Sequence, residues 1–217
     1  MAKAIVIIQA RMGATRLPGK MLLPFGEGPL LAYSVSRCRE MRPATDVVVA
    51  TSVAAQDDAI AAWCADAGVS CFRGSEDDVL GRFAVAAERY EADYIIRVTG
   101  DNPFIDYHSA GQMLELCQED RLDIVRMAGK CPTGLAAEAV AVEALQRMAR
   151  LGKEPRHREH VTPYGYENPD QFRIGGVELP EDMQAAPYRL TVDTEEDYRM
   201  CRAIAEAFPG DRLVPAR

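Results

Sequence analysis

Three cations and two aspartates carry the chemistry that this sequence offers. The cations lie within Gln9–Lys20, QARMGATRLPGK: Arg11, Arg16 and Lys20, with the hydroxyl of Thr15 between them. Guanidinium forks, a lysine point charge and free backbone N–H groups suit the oxygens of a triphosphate. Gly13 permits close backbone approach, Gly19 a turn, and Pro18 stiffens the exit. The aspartates are Asp101 in VTGDNPFID and Asp193 in RLTVDTEEDY, each just past a predicted strand. Nucleotide-bound Mg2+ typically takes one or two protein carboxylates beside phosphate oxygens and water. Each group also has a plainer use. The loop can be a solvated basic loop, Asp101 can open an Asx-turn before Pro103, and Asp193 can cap the last helix, as Thr194 also can.

The basic loop matches neither common phosphate fingerprint. GxGxxG fails because Gly13 and Gly19 stand six apart. GxxxxGK[ST] fails narrowly, since the glycines are one residue too far apart and Met21 replaces Ser or Thr. A dinucleotide loop and a P-loop are both excluded.

The positive charge is local. The chain carries −8 overall, yet residues 1–26 hold four cations and no acid, which leaves −12 for the remainder. A nucleic-acid binder would present a broad basic surface, so a small anionic ligand is the better match. No apolar run is long enough for a membrane helix. The six cysteines are dispersed without a CxxC pair, as in a reducing, cytoplasmic setting.

The elements that must position these groups alternate. Strands are predicted at Ala4–Ile8, Asp46–Thr51, Val69–Phe72, Asp93–Val98, Leu122–Met127, Gln171–Glu178 and Tyr188–Val192. Helices are predicted at Pro29–Met41, Gln56–Ala67, Ser75 to about Tyr90 with Ser75 as N-cap, Ile105 to about Glu119, Val142–Leu151, Arg156–Tyr166 and Thr194–Phe208. Ala4–Ile8 is continuously apolar, as in a strand covered on both faces. This rhythm predicts an α/β fold, a three-layer α/β/α sandwich with a mostly parallel mixed sheet. In such sheets ligands bind beyond the carboxyl ends of the strands, where the basic loop and both aspartates should arrive. The weakly patterned stretch 128–140 predicts an insertion with an antiparallel strand.

EPRHREHVTPYGY supplies Arg158, Glu159 and His160, which either face an acceptor or belong to a helix docked on the core. His157 and His160 can share a helix face, but the context is poor for zinc. His108 is expected to be exposed early in its helix.

IIQARMGATRLPGKML, VVVATS, FRGSEDDVLGRF, IIRVTGDNPFID, REHVTPYGYENPDQF and RLTVDTEEDY resemble, in this order, the cytidylyltransferase family. The chain is most similar to its spore-coat polysaccharide (SpsF-like) branch, related to the CMP-KDO and acylneuraminate enzymes. The resemblance runs from Ile5 to about Ala207. It implies a GT-A-like, Rossmann-related nucleotidyltransferase domain spanning 1–217, with about 1–127 binding nucleotide and about 128–190 binding acceptor. It implies transfer of CMP from CTP to a small acidic acceptor, with Mg2+ and pyrophosphate release, often in a homodimer, with no nucleic acid and no membrane.

By the same resemblance, Ala10, Arg11, Met12, Gly13, Thr15, Arg16, Lys20 and Gly100 surround the triphosphate, and Ser75, Asp78 and Arg82 approach the nucleoside. Asp101 and Asp193 would hold the metal. Arg11, Lys20 and Asp101 would be catalytic, and Glu138, Arg158, Glu159 and His160 would meet the acceptor. Gly81 and Ala136 stand where the family pattern carries Asp, and the carboxylate lost at 136 bears on the acceptor. Asn102 replaces a frequent Cys. Other sugar nucleotidyltransferases and GT-A glycosyltransferases use similar loops and metals. The two lost acids also admit a binding protein without turnover.

Overall fold

The computed structural model describes residues 2–184 and 188–214; positions 1, 185–187 and 215–217 of the expected domain lie outside them. One seven-stranded sheet organises the chain. Its strands are β1 (Ala4–Gln9), β2 (Asp46–Ser52), β3 (Ser70–Gly74), β4 (Tyr94–Thr99), β5 (Ile124–Ala128), β6 (Glu138–Ala141) and β7 (Ile174–Glu178), in spatial order β3-β2-β1-β4-β6-β5-β7. All pairings are parallel except those of β6, which runs against both β4 and β5. The stretch expected to carry an antiparallel strand does so.

The helices are α1 (Leu30–Cys38), α2 (Asp58–Asp66), α3 (Val79–Arg89), α4 (Tyr107–Glu119), α5 (Val142–Leu151), α6 (Pro155–His160), α7 (Pro163–Glu167), α8 (Glu181–Gln184) and α9 (Glu195–Ala207). They cover both faces of the sheet. Val6 and Ile8 pack with α1, α2 and α4, while Ile5 and Ile7 pack with α3 and α5. Side chains alternate along a strand, so covering both faces demands the unbroken apolar run. Each of these four residues is fully buried and contributes on the order of 2 kcal/mol. Isoleucine at position 7 could not become aspartate without burying an unpaired charge.

A third cluster lies beside the sheet. Phe25, Tyr33 and Phe104 pack with Tyr198 and Cys201 of α9, and the Phe25 and Tyr33 rings meet edge-on at 5.0 Å. This cluster fastens the last helix to the loops that follow β1 and β4.

Three expectations are corrected. Tyr188–Val192 is not a strand. It makes one bridge, Arg189 to Thr133, and two loop contacts: Leu190 N–H to Thr133 O at 2.7 Å and Val192 N–H to Asp101 O at 2.8 Å. Its apolar alternation serves the third cluster, where Val192 is fully buried, instead of a sheet face. Arg156–Tyr166 is two short helices, because Val161 at φ 74° interrupts it before Pro163. Helix α3 is capped by Asp78, not Ser75; the acids Glu76 and Asp77 precede the helix. His108 is exposed as expected. Among the described residues no helix is long and apolar enough to cross a membrane.

Candidate active site

The first and fourth strands deliver two loops side by side. Gln9 and Thr99 are register partners at the carboxyl ends of β1 and β4, and Gly100 N–H extends the pairing to Gln9 O at 2.9 Å. The β1 loop then folds on the Met12 carbonyl, which accepts from Ala14 N–H at 2.9 Å and Gly19 N–H at 3.0 Å. Gly19, at φ 72°, turns the chain into a 3-10 turn over Lys20–Leu22. Lys20 is thereby directed inward and is 5% exposed.

The Lys20 ammonium joins the two aspartates. Its three protons are used on Asp101 Oδ2 at 2.7 Å, the Val192 carbonyl at 2.7 Å and Asp193 Oδ1 at 3.2 Å. A buried ammonium requires such a set, since desolvation without partners is costly. Asp101 and Asp193 keep part of their surface open, with 21% and 22% of each side chain exposed. Arg16 reaches Asp193 Oδ2 at 3.2 Å, and Arg189 pairs with both Asp193 and Asp197. Thr194 and Asp197 form a capping box at the start of α9, which fixes the turn carrying Asp193. Burial raises the Asp197 carboxyl pKa. Hydrogen bonds from the Thr194 hydroxyl and backbone and from Asp193 N–H, with the Arg189 charge, outweigh this and hold it below the usual aspartate value.

Lys20 and the two aspartates line a cleft of about 340 Å3. Arg11, Thr15, Arg16 and Lys20 are there with both aspartates, and Glu159 and His160 form another wall. Residues expected to meet triphosphate, metal and acceptor therefore share one space. Arg11 and Glu159 lie 3.8 Å apart, both well solvated, so this contact contributes little. Ala10 is buried below the loop and Met12 packs on the core.

The remaining expected residues fall elsewhere. Ser75, Asp78 and Arg82 do not line this cleft. Arg82 is 2% exposed and donates to Ser75 O at 2.6 Å; its buried Nε has no partner among the described residues. Burial holds its pKa below the usual arginine value. Arg158 turns from the cleft to brace α3, with Nη1 3.3 Å from Asp78 Oδ2 and Nη2 2.8 Å from Ala149 O. His157 is buried, with Nε2 2.9 Å from Glu167 Oε2 and Nδ1 accepting from Glu154 N–H, so it caps and packs α6. The side chain of His160 is 60% exposed.

Glu138 lines a second cavity of about 300 Å3 beside the first, with Thr99 lining both. Its carboxylate accepts from Arg97 at 2.7 Å, from Thr162 and from the Tyr166 hydroxyl. Burial, then the Glu138 charge and hydrogen bond, push the Tyr166 phenol strongly up. Arg126 lies over the Tyr166 ring at 4.8 Å and has no ion pair among the described residues. Arg97 and Arg126 were not singled out from the sequence. The available signal was a lone arginine inside each of two apolar strands, IIRVT and IVRMA.

The sequence pattern of the Cytidylyltransferase family matches residues 5–208. The spore coat polysaccharide biosynthesis protein SpsF of Bacillus subtilis is 39% identical over 205 residues, covering 92% of this chain and 85% of SpsF. This chain belongs to the cytidylyltransferase family. A solved cytidylyltransferase from Leptospira borgpetersenii superposes with a TM-score of 0.91 at 33% identity, over all of this chain and 91% of that one. A CMP-KDO synthetase solved with CTP shares the fold, with a TM-score of 0.71 at 19% identity over 94% of this chain and 98% of that one. By its family the chain is thus a CTP-dependent nucleotidyltransferase, and these structures share its α/β fold.

Within this family the two departures acquire structural settings. At Gly81, N–H bonds to Asp78 Oδ1 at 2.8 Å, and an added Cβ would stand 2.4 Å from Asp78 Oδ2. Glycine lets Asp78 close tightly over the start of α3. Ala136 lies on the wall of the second cavity and leaves Glu138 as its only carboxylate among the described lining residues.

Proposed function

We propose that this cytidylyltransferase-family chain transfers CMP from CTP to an acidic sugar or related acceptor, releasing pyrophosphate, in the making of a glycan precursor. One observation carries the reading: Lys20 draws Asp101 and Asp193 together in a cleft that Arg11 and Arg16 also line. The cations match a triphosphate and the carboxylates match the divalent ion that accompanies it. Among the described residues no three acidic, histidine or cysteine side chains form a metal cage, so phosphate oxygens would complete the coordination of Mg2+ at Asp101 and Asp193. When bound, Mg2+ neutralises phosphate charge and polarises phosphoryl oxygens.

The acceptor oxygen attacks the α-phosphorus in line, and the bond to the pyrophosphate oxygen breaks. Arg11 and Arg16 are exposed on the loop and neutralise charge growing on that leaving group. Lys20 holds the two carboxylates in register and adds its charge at the same point. The second cavity, with Arg97 and Arg126, supports an anionic acceptor beside the first. Catalysis is positioning and charge neutralisation, without a covalent enzyme intermediate. The likeness to SpsF, a protein of spore coat polysaccharide biosynthesis, supports a glycan precursor.

The test is a panel of CTP, UTP, GTP and ATP with Mg2+, against nonulosonic acids, other acidic sugars and phosphorylated compounds, read as pyrophosphate release. Turnover with CTP and an anionic acceptor is expected. Turnover with UTP and none with CTP would sink the reading.

A further inference from the structure

Asp57 occupies the N-cap position of α2, where an aspartate normally accepts from the first turn of its own helix. Its carboxylate makes no such bond. It is fully buried and points the other way. Oδ1 accepts from Met12 N–H at 2.7 Å, 45 residues distant, and Oδ2 accepts from the backbone and hydroxyl of Ser52 at the end of β2. The oxygens that would cap α2 are thus committed to Met12 and Ser52 instead.

Their target is the centre of the basic loop. The Met12 carbonyl already gathers Ala14 and Gly19 N–H. The Met12 residue is therefore held from both sides, by Asp57 at its N–H and by the loop at its C=O. The adjacent Gly13 faces the same 3-10 turn, Ala55–Asp57: a Cβ there would lie 2.9 Å from Gln56 Nε2. One turn thus meets two consecutive loop residues. Arg11 precedes Met12 directly, and Lys20 follows Gly19 directly.

We infer that Asp57 is the positioning residue of the basic loop, setting through Met12 where Arg11, Arg16 and Lys20 stand. The role rests on the triphosphate reading of that loop. The neighbouring Asp58 acts differently, being solvated and paired with Arg73 at 2.7 Å.

The experiment compares the unaltered protein, Asp57→Ala and Asp57→Asn by CTP titration calorimetry with Mg2+ and by amide hydrogen exchange. Asp57→Ala should weaken CTP about tenfold, the effect of losing one well-placed hydrogen bond to charge. Exchange should quicken in residues 10–20 while β5, β7 and α5 keep their protection. Asp57→Asn keeps an acceptor for Met12 but sets an NH2 against Ser52 N–H, and should recover part of both. Unchanged CTP affinity and loop exchange in Asp57→Ala overturns the inference. So does a loss of protection spread evenly over the whole chain in both variants, which marks a residue of general stability. If the unaltered protein binds no CTP, the functional reading falls, and the exchange arm alone still decides the role of Asp57.

Discussion

Lys20 Nζ lies 2.7 Å from Asp101 Oδ2, although 81 residues separate them. The ammonium that was expected to meet phosphate spends two of its three protons on the carboxylates expected to meet metal. Both ends of the proposed chemistry therefore depend on one buried charge balance, and this balance makes the first two predictions.

Asp101→Asn and Asp193→Asn should each lower turnover by at least about a hundredfold while the fold persists, because each removes a carboxylate proposed to hold the divalent ion at the reacting phosphates. Pyrophosphate release measures the first and circular dichroism the second. Full activity in either variant removes that residue from the metal assignment.

Lys20→Met should destabilise the protein by about 3 kcal/mol, since it leaves the Asp101 carboxylate without its ionic partner, whereas Asp193 keeps Arg16 and Arg189. It should also slow turnover with CTP. Urea melts and initial rates check the two effects. A double variant, Lys20→Met with Asp101→Asn, should be less destabilised than the sum of the two single changes.

Glu138→Gln should cost about 3 kcal/mol through the loss of an ionic partner for the mostly buried Arg97. It should also bring the Tyr166 phenol partly back toward its usual value, because the nearby negative charge is gone while burial remains. Denaturant melts read the first change, and the absorbance of the phenolate on raising the pH, against a Tyr166→Phe control, reads the second.

Acid should weaken the α9 end of the site. The Asp197 carboxyl is held below the ordinary aspartate value of 3.8 in the folded protein, so it favours folding fully above that value and loses this contribution as pH falls through the lower, folded value. Asp197→Asn should flatten the acid limb of stability below about pH 4 and cost roughly 1 kcal/mol at neutral pH, the usual worth of a cap. Thermal melts of both proteins from pH 7 to pH 3 measure it.

Much of the fold was legible because its signals are local. Strand β1 shows itself by four consecutive apolar side chains, and α5 begins and ends where its pattern does. Thr194 announces α9 as a capping residue beside three acids. The Tyr188–Val192 segment misled because alternating burial looks the same whether the partner is a strand or a cluster of aromatic side chains. Ser75 misled because Asp78, three residues on, offers an equally good cap.

The sequence alone determined which residue types were available: a basic loop after the first strand, two aspartates at strand ends and a family pattern across residues 5–208. The tertiary structure decided who faces whom. It joined Lys20 to both aspartates, turned Arg158 away to brace α3, closed Glu138 within Arg97, Thr162 and Tyr166, and aimed Asp57 at Met12. The physical reason is that strand and cap signals act within a few residues, whereas a buried charge takes its partners from whichever loops the sheet brings beside it.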